Sequence, residues 1–168
     1  MSRKAATIVL AVFFIAALRL GAQTISVQII EEGRPGAVPD GFSEALISGA
    51  MNEAFDRGLI ATSGKPAVDF NRKFREWPLS RSEELKQAMV THVIMILYKK
   101  DTFGRPGVSY PGRFEFYLWD IEKGEASHRG EIPGMPTSEI MEGGREAVLA
   151  YCAETGRSLA RECLEALR

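Results

Sequence analysis

Few side chains in this 168-residue chain are of the types that carry out chemistry. It has two histidines, His92 and His128, and two cysteines, Cys152 and Cys163. His92 opens an apolar run and His128 stands in a short strand-like stretch, so both read as structural or surface residues. The cysteines lie eleven positions apart in one helical pattern. That spacing separates their α-carbons by roughly 16 Å, far beyond disulfide reach. Two reduced thiols facing the core are expected, and a disulfide would require the helix to break at Gly156. Gly64-Lys65-Pro66 lacks the preceding glycines and the following Ser or Thr of a phosphate loop, and there is no serine elbow. Asp120, Glu122 and Glu125 cluster around a turn, where solvated carboxylates are commoner than an acid–base pair. Arg72-Lys73-Arg75 is offset by Asp69 and Glu76 and reads as a solvated face. No catalytic set, metal ligand or cofactor is therefore assigned.

One constellation stands out. Gly33-Arg34-Pro35-Gly36 and Gly104-Arg105-Pro106-Gly107 are the same tetrapeptide, and each follows a strand-like stretch. If the two strands are parallel in one sheet, both loops leave from its carboxyl edge, where ligands gather in open α/β sheets. Arg34 and Arg105 would there clamp a carboxylate or a partner's acidic side chain. Phe103 and Tyr110 would add aromatic area of the kind common at interfaces. The same tetrapeptide also reads as ordinary turn chemistry occurring twice.

The elements that must position these loops follow from periodicity. Thr91–Tyr98 (T-H-V-I-M-I-L-Y) contains an unbroken apolar or aromatic run from Val93 and is closed by Lys99-Lys100-Asp101. A run so short and apolar predicts a strand covered on both faces, in the middle of a sheet. Thr24–Ile30 alternates, with Ile25, Val27 and Ile29 on one face, and predicts the first strand. Asp40 is placed to cap a helix reaching about Arg57, closed by Gly58. Phe42, Leu46, Ala50 and Ala54 form one apolar row of that helix and Ile47, Met51 and Phe55 the next. Ser43, Glu44, Ser48, Asn52, Glu53 and Asp56 face away.

Leu59–Thr62 reads as a short strand, interrupted by Ser63-Gly64-Lys65-Pro66 and resumed by Ala67–Phe70. Ser80-Arg81-Ser82-Glu83 is a capping-box pattern opening a short helix to about Val90, expected to bury Leu85, Ala88 and Met89. Arg113–Ile121 and Ala126–Ile132 form a hairpin around Glu122-Lys123-Gly124-Glu125. Large apolar side chains occur on both faces of its first strand. The stripe Met141, Gly144, Val148, Cys152, Gly156, Leu159, Cys163, Leu167 predicts one long terminal helix despite its glycines. The order β-α-β-α-β-β-β-α implies an α+β or α/β fold, a mixed sheet with helices packed on it.

Residues 1–22 stand apart from this pattern. A basic opening (Arg3, Lys4), an apolar stretch Ala5–Leu18 and a small-residue exit predict a secretory signal cleaved after Ala22. The stretch, about 14 residues, is shorter than the ~20 of a spanning helix; an uncleaved anchor is the other reading. Three of the 21 basic residues and none of the 22 acids lie there, so the remainder carries −4. That charge gives no reason to expect a nucleic acid. The remaining residues, 23–168, suit one domain burying about two-thirds of its unfolded surface. The expected location is periplasmic or secreted.

The strand entering D-G-F-S-E-A-L-I-S-G-A-M-N-E-A-F, the run L-K-Q-A-M-V-T-H-V-I-M-I-L-Y, the hairpin Y-L-W-D-I-E-K-G-E and the terminal helix together resemble a known group. It is the α/β domain of bacterial envelope proteins: the amino-terminal domain of TolB, the curli-secretion lipoprotein and the lipoprotein activators of penicillin-binding proteins. Asp120–Glu125 resembles that group's D-x-x-T-G-x hairpin, with Lys123 in place of threonine. The resemblance implies a non-enzymatic periplasmic module that binds other proteins. No cysteine near residue 22 matches the lipid-bearing cysteine of the lipoprotein members. The expected function is thus an exported, non-catalytic interaction domain with an envelope protein as partner. The alternative is a periplasmic domain binding a small molecule or anion through Arg34 and Arg105.

Overall fold

The computed structural model of the chain describes residues 23–32, 41–69, 76–100, 111–134 and 138–167. The strands are β1 (Thr24–Glu32), β2 (Ile60–Ser63), β3 (Ala67–Asp69), β4 (Val90–Lys100), β5 (Pro111–Asp120) and β6 (Glu125–Pro133). The helices are α1 (Phe42–Asp56), α2 (Trp77–Ser80), α3 (Ser82–Gln87), α4 (Ser138–Glu142) and α5 (Gly144–Glu165). The sheet runs β2-β1-β4-β5-β6, with β3 beside β1 further along the same edge as β2. β1 is parallel to β2, β3 and β4, while β4, β5 and β6 are antiparallel. This is the expected mixed sheet, and the apolar run of β4 lies in its middle.

Burial on both faces explains that run. Ile94, Ile96 and Tyr98 point to one face, with Ile25, Val27, Ile29, Phe114, Phe116 and Leu118, and α1 and α5 cover them. Val93, Met95 and Leu97 point to the other, with Ile30, Tyr117, Trp119, Leu85 and, partly buried, Trp77. A strand central in the sheet and apolar on both sides has no solvated face to keep polar.

The two main helices run in the same direction and cross at glycines. A Cβ on Gly49 would fall on the Ala153 carbonyl, and one on Gly156 on the Leu46 carbonyl. α1 closes in a Schellman turn: Leu59 N–H donates to the Ala54 carbonyl (3.0 Å), Gly58 N–H to that of Phe55 (2.8 Å), and Gly58 has φ +74°.

Five local readings need correction. Of the three residues expected to be buried by the short helix only Leu85 is; Ala88 is exposed, and Met89, turned outward by a φ of +56°, stands in solvent. Gly41, at φ +84° and without a side-chain cap, precedes α1, and Asp40 lies outside the described residues. The capping box is not formed, because Ser80 belongs to α2 and donates to the Trp77 carbonyl (2.9 Å). The terminal helix is not continuous: the chain turns at Gly143 and at Gly144, whose φ is +79°, so α4 ends before α5 begins and the stripe from Met141 starts on a different helix. Ser43 and Glu53 are buried, each engaged by polar partners rather than solvent.

Candidate functional site: a groove beside an open sheet edge

β1 and β4 are hydrogen-bonded neighbours that end side by side, Glu32 opposite Lys99. The segments holding the two Gly-Arg-Pro-Gly repeats therefore issue from adjacent strand ends, as the parallel arrangement requires. Arg34, Phe103, Arg105 and Tyr110 themselves lie outside the described residues. At this pole the described side chains form a buried clasp. Ser43 Oγ donates to Glu31 Oε1 (3.0 Å) and lies 2.8 Å from the Tyr98 hydroxyl. Burial pushes the Tyr98 hydroxyl far above its ordinary value. A neutral phenol, a serine and a carboxylate tie the start of α1 to β1 and β4.

The opposite pole holds a second polar group. Asp120 Oδ1 accepts from the Lys123 amide (2.9 Å), Asp120 Oδ2 lies 3.1 Å from Lys123 Nζ, and Gly124 takes φ +69°. Burial pushes the Asp120 carboxyl up, but the amide and ammonium of Lys123 outweigh it and hold it below its usual value. His92 Nε2 stands 3.9 Å from the same carboxylate, and burial holds its imidazole below the ordinary value. These contacts close the β5–β6 turn and need no substrate to explain them. His128 packs near Phe116, and its Nε2 is buried without a hydrogen-bond partner. Cys152 and Cys163 are buried and unbridged, and burial pushes the Cys152 thiol up to about 12. Among the described residues no three His, Cys, Asp or Glu side chains are grouped as metal ligands would be.

The open site lies elsewhere. Glu44, Ile47, Ser48, Met51, Asn52 and Phe55 of α1 face Ser63-Gly64-Lys65-Pro66 across a groove of about 560 Å³. The break in the edge strand makes one wall. Gln28, buried in β1, donates from Nε2 to the Lys65 carbonyl (2.9 Å), a bond that holds the link against β1 where strand pairing lapses. Gly64 lies against Gln28 Oε1, and a Cβ there would meet it at 2.6 Å. The second apolar row of α1 makes the other wall: Ile47 is buried, Met51 half-buried and Phe55 50 % exposed. That row was expected in the core. A helix with two apolar rows carries a stripe wider than one sheet face covers, and Ser48 and Asn52 beside it are the signal that it meets solvent.

The two sheet edges differ. β6 carries Glu125, Arg129, Glu131 and Pro133, residues that discourage strand addition. β2 reads Ile60-Ala61-Thr62-Ser63 without a charge, and no described strand lies on its outer side. The groove is therefore flanked by the less guarded edge.

No family model matches the chain, and no curated protein does. A PelC variant from Paraburkholderia phytofirmans, solved as a dodecamer, is similar at 15 % identity over 83 % of this chain and 88 % of that one (TM-score 0.47). TolB from Acinetobacter baumannii is similar at 13 % identity, with 84 % of this chain matched to 28 % of TolB (TM-score 0.41). The LpoB C-terminal domain from Escherichia coli is similar at 11 % identity over 69 % of this chain and 84 % of the domain (TM-score 0.39). These are bacterial envelope proteins, and the group that the sequence resembles is met again among them. The likeness is one of fold.

Proposed function

We propose that the chain is an exported, non-catalytic interaction domain of the bacterial cell envelope, which takes an extended segment of a partner protein along β2 and the α1 groove. One observation carries the reading: a groove with an apolar stripe of Ile47, Met51 and Phe55, the last half in solvent, lies beside an uncharged edge strand. Strand addition supplies affinity through backbone hydrogen bonds, and flanking apolar pockets supply selectivity. The polar groups at both poles are occupied in closing turns and clasps, which favours contact over turnover.

The test is capture from an envelope extract with the chain from Gln23 on, followed by amide exchange with the captured protein. The reading expects protection at Ile60–Ser63 and loss of capture in Met51→Glu. Capture that leaves those amides unprotected, or that survives Met51→Glu in a folded variant, would overturn it.

The second reading, an anion held by Arg34 and Arg105, is favoured by the adjacency of the β1 and β4 ends. A carboxylate or phosphate binding only the folded chain raises its melting temperature. A shift retained in the Arg34→Ala/Arg105→Ala variant would dispose of that reading.

A further inference from the structure

Four large apolar side chains among the described residues stand about half or more in solvent: Phe55 (50 %), Ile60 (49 %), Leu79 (51 %) and Met89 (78 %). They belong to four different elements or junctions, yet topology gathers them at one pole. Ile60 opens β2 and Met89 immediately precedes β4, and both Ile60 and Val90 pair with Thr24 at the start of β1. Phe55 lies in the last turn of α1, which the Schellman turn joins directly to β2. Leu79 reaches the β5–β6 turn, where its methyl would lie 3.7 Å from a Cβ on Gly124.

Met89 adds a second signal. Its φ of +56° is a left-handed conformation that favours glycine. Fold stability asks for Gly or Asn at such a helix exit; here an apolar side chain is held out into solvent. Local strain spent on displaying a side chain points to a use for it.

The same pole receives the chain from residue 22. The Gln23 carbonyl accepts from Ile60 N–H (3.2 Å), so the segment before it joins the fold among these four residues. Only Arg19–Ala22 separates the apolar stretch Ala5–Leu18 from Gln23. Four or five extended residues span roughly 15 Å, so a bilayer holding Ala5–Leu18 lies within that distance of the pole. No helix among the described residues is long and apolar enough to cross a membrane itself.

We infer that this pole is a bilayer-facing surface in the chain that keeps its N-terminal segment: Ile60, Leu79 and Met89 rest against the boundary between headgroups and acyl chains. Apolar side chains on the fold would add a second contact to a single short hydrophobic tether, as paired signals strengthen membrane attachment. Charges at the pole are mixed and lean acidic: Lys86 with Glu83, Arg81 with Glu84, and Lys123 with Asp120, Glu122 and Glu125. Attachment is therefore apolar in origin, not promoted by anionic lipid and little affected by salt. Phe55 belongs to both the pole and the groove, so a partner segment would enter the groove beside the lipid surface.

The test uses the full chain with phosphatidylcholine vesicles. A polarity-sensitive fluorophore is placed on Met89→Cys, with Glu142→Cys on α4 at the far pole as control; Cys152 and Cys163 are buried and do not compete. The proposal expects a blue shift from position 89 on vesicle addition, loss of most of its emission with brominated lipid, and no response from position 142. Flotation should persist at high salt and fall severalfold in Leu79→Ser/Met89→Ser, whose groove is intact. Failure of the full chain to float, an equal response at both positions, or a response at 89 to lipid-free envelope protein but not to vesicles would each overturn it. None of these outcomes bears on capture by the chain from Gln23 on, so the groove and the pole fail separately.

Discussion

Gly49 on α1 and Gly156 on α5 mark the crossing of the two helices, and each occupies space that the other helix's backbone denies to a methyl group. The carbonyl facing Gly49 belongs to Ala153 and the one facing Gly156 to Leu46. Backbone atoms cannot swing aside as a side-chain tip can, so the helices must part if either glycine gains a Cβ. Gly156→Ala should gain up to about 1 kcal/mol of helix propensity yet lose more in overpacking, with destabilisation of about 1–3 kcal/mol. Denaturant unfolding checks it. A more stable Gly156→Ala protein would mean that the helices do not touch there.

Gly156 also shows why part of the fold was legible in the chain and part was not. Periodicity reports which face of an element is apolar, and that placed β1, the hairpin, the first row of α1 and the centrality of β4. Periodicity carries no distance between helices, so Gly156 reads only as a weak point in α5 and not as a contact. Gly144 reads the same way, but nothing lies within 4 Å of its Cβ position, and its φ of +79° breaks the helix instead. The groove was hidden for a related reason. Ile47, Met51 and Phe55 have core-like spacing, and only the width of the sheet beneath them decides that Phe55 emerges. Arg34 and Arg105 were found as a repeat, and what the structure adds is the adjacency of their parent strands.

Glu53 is a buried carboxylate held between two arginines, with Arg57 Nε at 3.0 Å and Arg161 Nη2 at 3.3 Å. Burial pushes its carboxyl up, but the hydrogen bonds and charges of Arg161 and Arg57 prevail and hold it below 4.5. A carboxyl lowered in the folded state stabilises above its unfolded value, and the contribution is lost as pH falls through the folded one. Glu53→Gln should cost on the order of 1 kcal/mol at neutral pH, because the arginines remain partly solvated. Melting temperatures of the two proteins should converge below about pH 4.5. A gap that stays constant down to pH 3 would remove Glu53 from the acid response.

Gln28 holds the wall of the groove. It is 1 % exposed, and its amide is the described side-chain link between β1 and the Gly64–Pro66 break. Gln28→Leu keeps the volume and loses the bond, at a cost of about 1 kcal/mol. The sharper readout is local: amides at Gly64 and Lys65 should exchange faster while those of β4 keep their protection. Equal protection in both proteins would show that the link holds itself.

Met89 offers the clearest separation of stability from display. With φ at +56° and a side chain 78 % exposed, the residue incurs a left-handed backbone and returns little packing. Left-handed geometry costs an L-residue about 1–2 kcal/mol, of which glycine's greater unfolded entropy takes back part. Met89→Gly should therefore be more stable by about 0.5–1 kcal/mol, and Met89→Ala should not share the gain, since alanine keeps the Cβ. Val should be worse than either, because a β-branched side chain tolerates positive φ least. Thermal unfolding of the three variants ranks them, and an order led by alanine would show that Met89 does not sit in the left-handed region in solution.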